Sequence, residues 1–354
     1  MRQTQLKEVS KAKLRILEKY FPAWAKILGS RYQILVYVDC FAGAGRYAGG
    51  EAGSPLVVLD KARELVQRTS TLFEILAIFV EKDKDSAETL RRQIPASLPG
   101  AVTVEIFNED AHNFIPSLLR ALPDEAPAFF FIDPYGHPLT IPEMNRILSR
   151  PRREILLNLM WYAINMHLNN PKARSAIDRM FGHSSWASQS FMRHSGAKRE
   201  SLFLDYFLSK LQAKYKLPFK IRFSPEDNVP GGSHRTKYYI IHLSNHPKAV
   251  LLMKEVMWSI GDEEGTFDYS ATHQGVLFSC TPRVQELIAY LRQNYVDSGR
   301  RLTFDQLREE TWMLPFIEKH YRNALRQLES EGAVQIRRID SKKTGIRGRD
   351  LVEF

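Results

Sequence analysis

Four short, almost wholly apolar runs constrain this chain more than any other feature. They are Ile34–Asp39 (ILVYVD), Phe73–Val80, Val102–Phe107 and Ala128–Ile132, separated by stretches of helical periodicity. A strand buried on both faces reads as a continuous apolar run, and parallel strands need long crossover connections. The pattern therefore predicts an α/β fold, a mostly parallel sheet built from right-handed crossover units. Helices are expected from Ser54 to about Gln67, over 86–94, over Ala111–Ala121 and over 142–149, with a further strand at 154–160. Ser54 followed by Pro55 is a good helix start. The runs close on acids: Asp39, Glu81, Asp110 (just past the third run) and Asp133.

Around this frame the pattern changes three times. Residues 4–28 read as an amphipathic helix, with Leu6, Val9, Lys13/Leu14, Leu17, Phe21, Trp24 and Leu28 at three-to-four spacing and the lysines on the other face. Residues 161–200 are polar, aromatic-rich and poorly periodic, which suggests an insertion or a lid over the sheet's edge. After a helix at 200–215, strands at Phe219–Ser224 and Tyr238–Leu243 flank Pro230-Gly231-Gly232 and predict an antiparallel hairpin closing the sheet. From Thr281 onward come helix 284–295, a helix opened by Thr303 with Gln306 at the capping-box position, and helix 318–331 stopped by Gly332. A hairpin over 333–339 and 349–354 around a basic loop follows, completing a winged helix-turn-helix. The expected domains are 1–280, with the sheet, and 281–354.

Composition narrows the function classes. No apolar run approaches the ~18 residues needed to span a bilayer, and the N-terminus lacks the apolar segment of a secretory signal. Cys40 and Cys280 are the only cysteines among 354 residues. That excludes a disulfide scaffold or an all-cysteine metal cage, and a reducing cytoplasm is the expected location. His137, His167, His183 and His194 lack metal-ligand spacing, so no metal is expected. Net charge is +10, and two ends concentrate it. Residues 1–31 hold eight Lys/Arg against two Glu (+6), and 335–349 hold six against Asp340 (+5). A surplus placed this way favours a polyanionic partner, nucleic acid first, although two solvated faces would carry the same charges.

Ligands of open parallel sheets sit at the carboxyl ends of the strands, where the acids cluster. The turn after the first strand carries Asp39, Phe41, Ala42, Gly43 and Gly45, glycines that let a ligand approach the backbone. The next glycine is Gly49 and the helix waits until Ser54, so this is a poor dinucleotide fingerprint, and no Gly-Lys-Ser/Thr phosphate loop occurs. A ligand with an adenosine and a zwitterionic tail fits better. Glu81 would accept from ribose hydroxyls, Asp110 would take the adenine amine, Gly43 and Gly45 would pass under the amino-acid tail, and Asp39 would order the turn. Any one strand-end acid is more often a helix cap or a surface residue; four in register with a Gly-x-Gly turn reverse that balance. Cys40 reads as a small buried hydrophobe.

The segment order resembles the class I S-adenosylmethionine-dependent methyltransferases. DCFAGAGRY, GSPLVVLDKA, FFFIDPYGHPLT and the C-terminal segment are similar to the three-Cys-motif partner proteins (TcmP), over most of the chain and least at 161–235. That resemblance implies a methyltransferase-like domain joined to a winged helix, S-adenosylmethionine as cofactor, and a separate three-Cys-motif protein as a possible partner. In base amino-methyltransferases an acid or amide, Pro-Pro and an aromatic hold the exocyclic amine; the acid oxygen and proline carbonyl accept its hydrogens and the aromatic stacks on the flipped base. Asp133, Pro134 and Tyr135 would take those roles, with the second proline missing. A plain strand-end turn is the competing reading. Asn158 and Trp161 fall near the same mouth, where a buried strand-end amide and a packing indole are the plainer accounts. In the winged helix, Lys319, Arg322 and Arg326 on the third helix and Arg337, Arg338, Lys342 and Lys343 at the wing are the candidate nucleic-acid contacts. A methyltransferase of a nucleic-acid base is thus the leading expectation. The alternative is a non-catalytic or ligand-sensing module that binds nucleic acid or protein through the winged helix.

Overall fold

The computed structural model describes residues 8–68, 73–134, 139–223, 235–261, 268–269, 281–340 and 345–354. Tyr135, Lys342, Lys343, Cys280 and the Pro230-Gly231-Gly232 loop lie outside them. Two compact units are present, 1–246 and 247–354.

In the first unit seven strands, β1 (Ile34–Asp39), β2 (Glu74–Val80), β3 (Val102–Phe107), β4 (Ala128–Ile132), β5 (Arg153–Leu159), β6 (Tyr215–Arg222) and β7 (Thr236–Ser244), lie in the order β3-β2-β1-β4-β5-β7-β6. Strands β1 to β5 pair in parallel, with Val38 opposite both Ile78 and Phe130. Strand β7 is antiparallel to β5 and to β6, so the expected hairpin does close the sheet, with its second strand tucked inside the first. This is the mostly parallel, Rossmann-like sheet that the apolar runs predict. The chain travels outward from β1 through β2 to β3, then returns to β4. The switch point of the sheet is therefore between β1 and β4.

Both faces are covered. On one, helix α1 (Glu8–Gly29) packs against α2 (Ser54–Arg68) and the sheet, its Tyr20 and Trp24 rings 5.3 and 5.8 Å from Phe129 and its Phe21 ring 5.6 Å from Tyr37. The buried Tyr20 hydroxyl donates to Glu154 Oε2 at 2.5 Å, an oxygen that also meets His242 Nε2 at 3.0 Å, fastening α1 to β5 and β7. Helix α3 (Lys84–Gln93) follows β2. The other face, with Val36, Val38, Ile78, Phe130 and Ile132, packs on α4 (Ala111–Ala121), α5 (Ile141–Leu148) and the buried side chains of 161–209.

That last stretch is where the structure departs from the sequence reading. It holds α6 (Trp161–His167), α7 (Arg174–Phe181), three short 3-10 turns and α8 (Gly196–Ser209). Trp161, Phe181, Trp186 and Phe191 are buried in the same core as the sheet, with Phe191 5.3 Å from Phe203 of α8. It is a helical layer of the domain rather than a lid. Helices of seven or eight residues show barely two turns, too little for a 3.6-residue period to stand out.

The second unit holds α9 (Pro247–Trp258), a two-residue strand β8 (Asp268–Tyr269), α10 (Thr281–Asn294), β9 (Arg301–Thr303), α11 (Phe304–Glu310), α12 (Glu318–Ser330), β10 (Gln335–Arg337) and β11 (Leu351–Glu353). Strands β10, β11 and β9 form an antiparallel sheet in that order over a core of Leu287, Leu291, Phe304, Leu307, Leu325 and Leu328. Helix, strand, helix, helix, strand, wing, strand is the winged-helix order. The capping box at Thr303 and Gln306 is formed as read. Helix α9 joins this unit, upstream of the expected boundary at 280/281, through long-range polar contacts. Lys254 Nζ donates to the carbonyls of Trp312 and Leu314, and Glu255 Oε1 accepts the Glu318 N–H at 2.7 Å, capping α12.

Phe191→Ala should cost about 3–5 kcal/mol in urea unfolding, the usual loss for emptying a buried phenylalanine site. A loss below about 1 kcal/mol, as for a mobile cover, would contradict the assignment of 161–209 to the core.

Candidate functional site

Asp39 ends β1 with its side chain fully buried, and its Oδ1 accepts the Phe41 N–H at 3.2 Å, bending the chain into the glycine turn. Ala42 N–H donates to the Val80 carbonyl at 3.0 Å, so the turn is laid across the end of β2. Gly43 and Gly45 both have positive φ, 63° and 86°, a conformation costly for any residue with a Cβ. A Cβ on Gly45 would also strike Leu90 and Gln93 of α3, whereas one on Gly43 would meet nothing within 4 Å. Beyond the turn, Gly53 N–H closes on the Gly45 carbonyl at 2.7 Å, so the long delay before α2 is a compact loop. Cys40 is buried, as read.

Glu81 follows β2. Its Oε2 accepts the Gly43 N–H at 2.8 Å and its Oε1 the Asp83 N–H at 2.7 Å. One carboxylate thereby holds both the glycine turn and its own loop. Asn108, which the sequence did not single out, donates to the carbonyls of Glu81 and Lys82 at 2.9 and 3.0 Å and stiffens the same loop. Asp110 also has a local structural role. It is the N-cap of α4, its Oδ1 accepting the His112 N–H at 3.0 Å, and its Oδ2 is 2.8 Å from Lys82 Nζ, whose hydrogen bond holds the carboxyl below the usual range. Beside it His112 meets Glu143 at 2.9 Å, an acid that also completes the Thr140 capping box of α5.

Asp133, just past β4, has a side chain only 14% exposed and is held by partners the sequence does not show together. Lys13 Nζ forms an ion pair with Oδ2, and Asn158 Nδ2 on β5 donates to Oδ1 at 2.7 Å. The Asn158 second N–H reaches Met160 Sδ at 3.5 Å, while its Oδ1 is buried and accepts nothing. Pro134 is buried and Trp161 packs against Phe203 at 5.0 Å, the packing role foreseen for it. Lys13 corrects the expectation that the lysines of the first helix all face solvent. The signal was its place in the apolar register of that helix.

Burial pushes the Asp39 carboxyl up to about 7, opposed by hydrogen bonds from Ser54 and Phe41 and reinforced by the nearby charges of Asp133 and Glu81. The acids of β1, β2 and β4 thus share one electrostatic site about the switch point.

On the winged helix, Lys319 and Arg326 are exposed along one side of α12, with Arg322 between them 2.5 Å from Glu318. Arg337 is exposed and 3.0 Å from Glu353. Arg338 is instead a brace, bonded to both oxygens of Glu329 at 2.8 and 2.7 Å. Arg349, two residues before β11, is also exposed. Asp350 pinches the wing's base, accepting the N–H groups of Ile339 and Arg347 at 3.0 and 2.7 Å. Among the described residues no cluster of side chains could hold a metal ion, and no helix is long and apolar enough to cross a membrane.

The raised pKa of Asp39 gives a pH dependence of known sign. Folding favours its protonated form, so its contribution to stability is greatest below about pH 4 and is lost as pH rises through about 7. Asp39→Asn lacks this loss. In urea titrations, its stability relative to wild type should improve by on the order of 2–4 kcal/mol between about pH 4 and about pH 8. A pH-independent difference would show that Asp39 is not held protonated by burial.

A GMT-like wHTH domain family model matches residues 262–341, in agreement with the winged helix. Comparison with curated proteins gives no match. Among solved structures, the chain is similar to the Legionella pneumophila protein LPL1258 at 11% identity, over 72% of this chain and 92% of that one, with a TM-score of 0.42. Human methyltransferase-like protein 13 in complex with SAH gives 14%, 78%, 96% and 0.35 in the same order. A SAM-dependent methyltransferase from Agrobacterium tumefaciens gives 12%, 64%, 61% and 0.33. At such identities and scores these likenesses carry no chemistry over to this chain, and the fold rests on its strand order.

Proposed function

We propose that this chain is an S-adenosylmethionine-dependent methyltransferase acting on nucleic acid, at an exocyclic amine of a base. The observation that carries the reading is convergence. The Gly43–Gly45 turn, Glu81 and Asp133 meet at the carboxyl ends of β2, β1 and β4 around the switch point, where open parallel sheets bind ligands. The residues fit the cofactor. Space over Gly43 admits a ligand against bare backbone, and Glu81 retains acceptor capacity on both oxygens beyond the two N–H groups it already holds.

The cofactor supplies a methyl group on a positively charged sulfur. Glu81 would accept from its ribose hydroxyls, Asp110 from the adenine amine, and the Gly43–Gly45 backbone would lie under the amino-acid tail, with Asp39, Phe41 and Ala42 shaping the turn. Asp133 and the Pro134 carbonyl would take hydrogens of the substrate amine, leaving its nitrogen lone pair directed at the methyl group, and Tyr135 would stack on the base. The basic segment 335–349, six Lys/Arg against Asp340, supports a nucleic-acid substrate, since such a local surplus finds its cheapest use on phosphates. Arg326 and Arg349 are better placed for that contact than Arg338, which is spent on Glu329; Lys319, Arg322 and Arg337 remain candidates, as do Lys342 and Lys343. Membership of the three-Cys-motif partner family, and a partner chain of that kind, belong to the same proposal and rest on the sequence segments alone. The winged-helix match also favours a second reading, in which that domain binds nucleic acid or protein and the sheet only senses a ligand.

Calorimetric titration with S-adenosylmethionine and S-adenosylhomocysteine separates these readings. Micromolar affinity, weakened at least about tenfold by Gly43→Val and by Glu81→Ala, is the expected result, each tenfold being about 1.4 kcal/mol. No binding at millimolar ligand by folded protein would leave only the binding module. Asp133→Ala should abolish methyl transfer while keeping S-adenosylhomocysteine affinity within a few-fold; equal loss of both refutes its role. For the winged helix, Arg326→Ala with Arg349→Ala should lower the slope of log affinity against log salt by about two. An unchanged slope would remove these residues from the phosphate contacts.

A further inference from the structure

Asn158 is almost fully buried on β5, yet its amide is only half used. Both N–H groups are committed, to Asp133 Oδ1 at 2.7 Å and to Met160 Sδ at 3.5 Å, while Oδ1 has no partner. The orientation of the amide is not in doubt chemically, because a carboxylate accepts N–H and would repel a carbonyl. An unmet buried acceptor is costly and calls for a physical account, and this one differs from the chain's other orphaned polar atoms in lying against Asp133 at the carboxyl edge of the sheet. It is bonded to the same carbon as the nitrogen that touches Asp133, so the vacancy lies beside the reactive acid.

Lys13 completes the arrangement. It comes from the opposite end of the domain's sequence, and its ammonium pairs with the second oxygen, Oδ2. Donors from two different elements on the two oxygens fix the plane of the Asp133 carboxylate. Helix α1 that carries Lys13 is itself fastened to the sheet through Tyr20, Glu154 and His242, so the donor is not on a loose tail. Each Asp133 oxygen still has a lone pair to offer.

We infer that Asn158 Oδ1 and Asp133 form a paired acceptor for the two hydrogens of a substrate amino group, with Lys13 as the residue that positions Asp133. This rests on the methyltransferase reading above and refines it, giving Asn158 the second hydrogen that the Pro134 carbonyl would otherwise take. Two acceptors side by side select a primary amine over a hydroxyl, which offers one hydrogen, and over a carbonyl, which offers none. The recognised group is then the exocyclic amine of adenine, cytosine or guanine.

The test uses the full chain saturated with S-adenosylhomocysteine. Short single strands carrying one adenine, cytosine or guanine are titrated against matched strands in which that base is purine, 2-pyrimidinone or hypoxanthine, each lacking only the amine. Wild type should prefer the amine in one pair by at least about tenfold, the worth of a buried hydrogen bond. Asn158→Leu should reduce that preference to within about threefold of unity while affinity for the amine-free strand stays within twofold. Lys13→Met should also erode the preference, and Lys13→Arg, which keeps a donor, should restore part of it. A structural defect would weaken both strands alike. Asn158→Ser, whose shorter side chain draws its oxygen back from the Asn158 Oδ1 position, replaces the leucine variant if that fails to fold. Preference retained in both Asn158 variants overturns the inference, as does wild-type protein that binds the cofactor product but distinguishes no pair. Failure to bind S-adenosylhomocysteine at all overturns the methyltransferase reading itself, and this inference with it.

Discussion

A mostly parallel sheet covered by helices on both faces leaves polar side chains its strand ends, unless they are fully paired inside, as Glu154 and His242 are with Tyr20. Here β4 and β5 are buried along their whole length, and β1 is buried from Leu35 onward. A polar side chain inside such a layer would need a partner or would cost stability. The acids therefore gather where the chain leaves the sheet, at Asp39, Glu81, Asp110 and Asp133. Crowding them there has a consequence, since carboxylates near one another and away from water resist ionising together. Asp39, fully buried, has its pKa raised chiefly by that burial, with the charges of Asp133 and Glu81 adding to it.

Helix α1 connects that edge to the rest of the domain. Aromatic residues on its inner side, Tyr20, Phe21 and Trp24, supply the burial that holds it on the sheet. Lys13, two turns earlier on the same side, arrives at Asp133 because those contacts fix the helix. Packing energy spent along the face of the sheet is in this way converted into placement of one ammonium at its edge. The basic N-terminal segment is thus not merely a charged surface, since one of its lysines is built into the site.

Much of this was legible in the residues. The runs around β1, β2, β3 and β4 were recognisable because strands apolar on both sides look unlike amphipathic helices, and Ala111–Ala121 came out residue for residue because its period is unbroken. The Thr303 capping box was equally local. What was not legible depends on distant partners. Asn158 and Lys13 are far from Asp133 along the chain, and no local pattern pairs them. Arg338 looked like a free basic residue of the wing because Glu329, which neutralises it, sits on another element. The ties of helix α9, which lies before the boundary expected at 280/281, were hidden for the same reason, its partners being Trp312, Leu314 and Glu318. Asp110 shows the opposite case, a residue whose ordinary role as a helix cap was readable and holds, whatever else it binds.

A crystal structure of the full chain with S-adenosylhomocysteine tests the central claim most directly. The expected result is density for the ligand across the Gly43–Gly45 turn, with its ribose hydroxyls on Glu81 and its sulfur facing Asp133. Ligand bound elsewhere, or a turn and Glu81 left untouched in crystals grown at saturating ligand, would contradict the assignment of this edge as a methyl-transfer site.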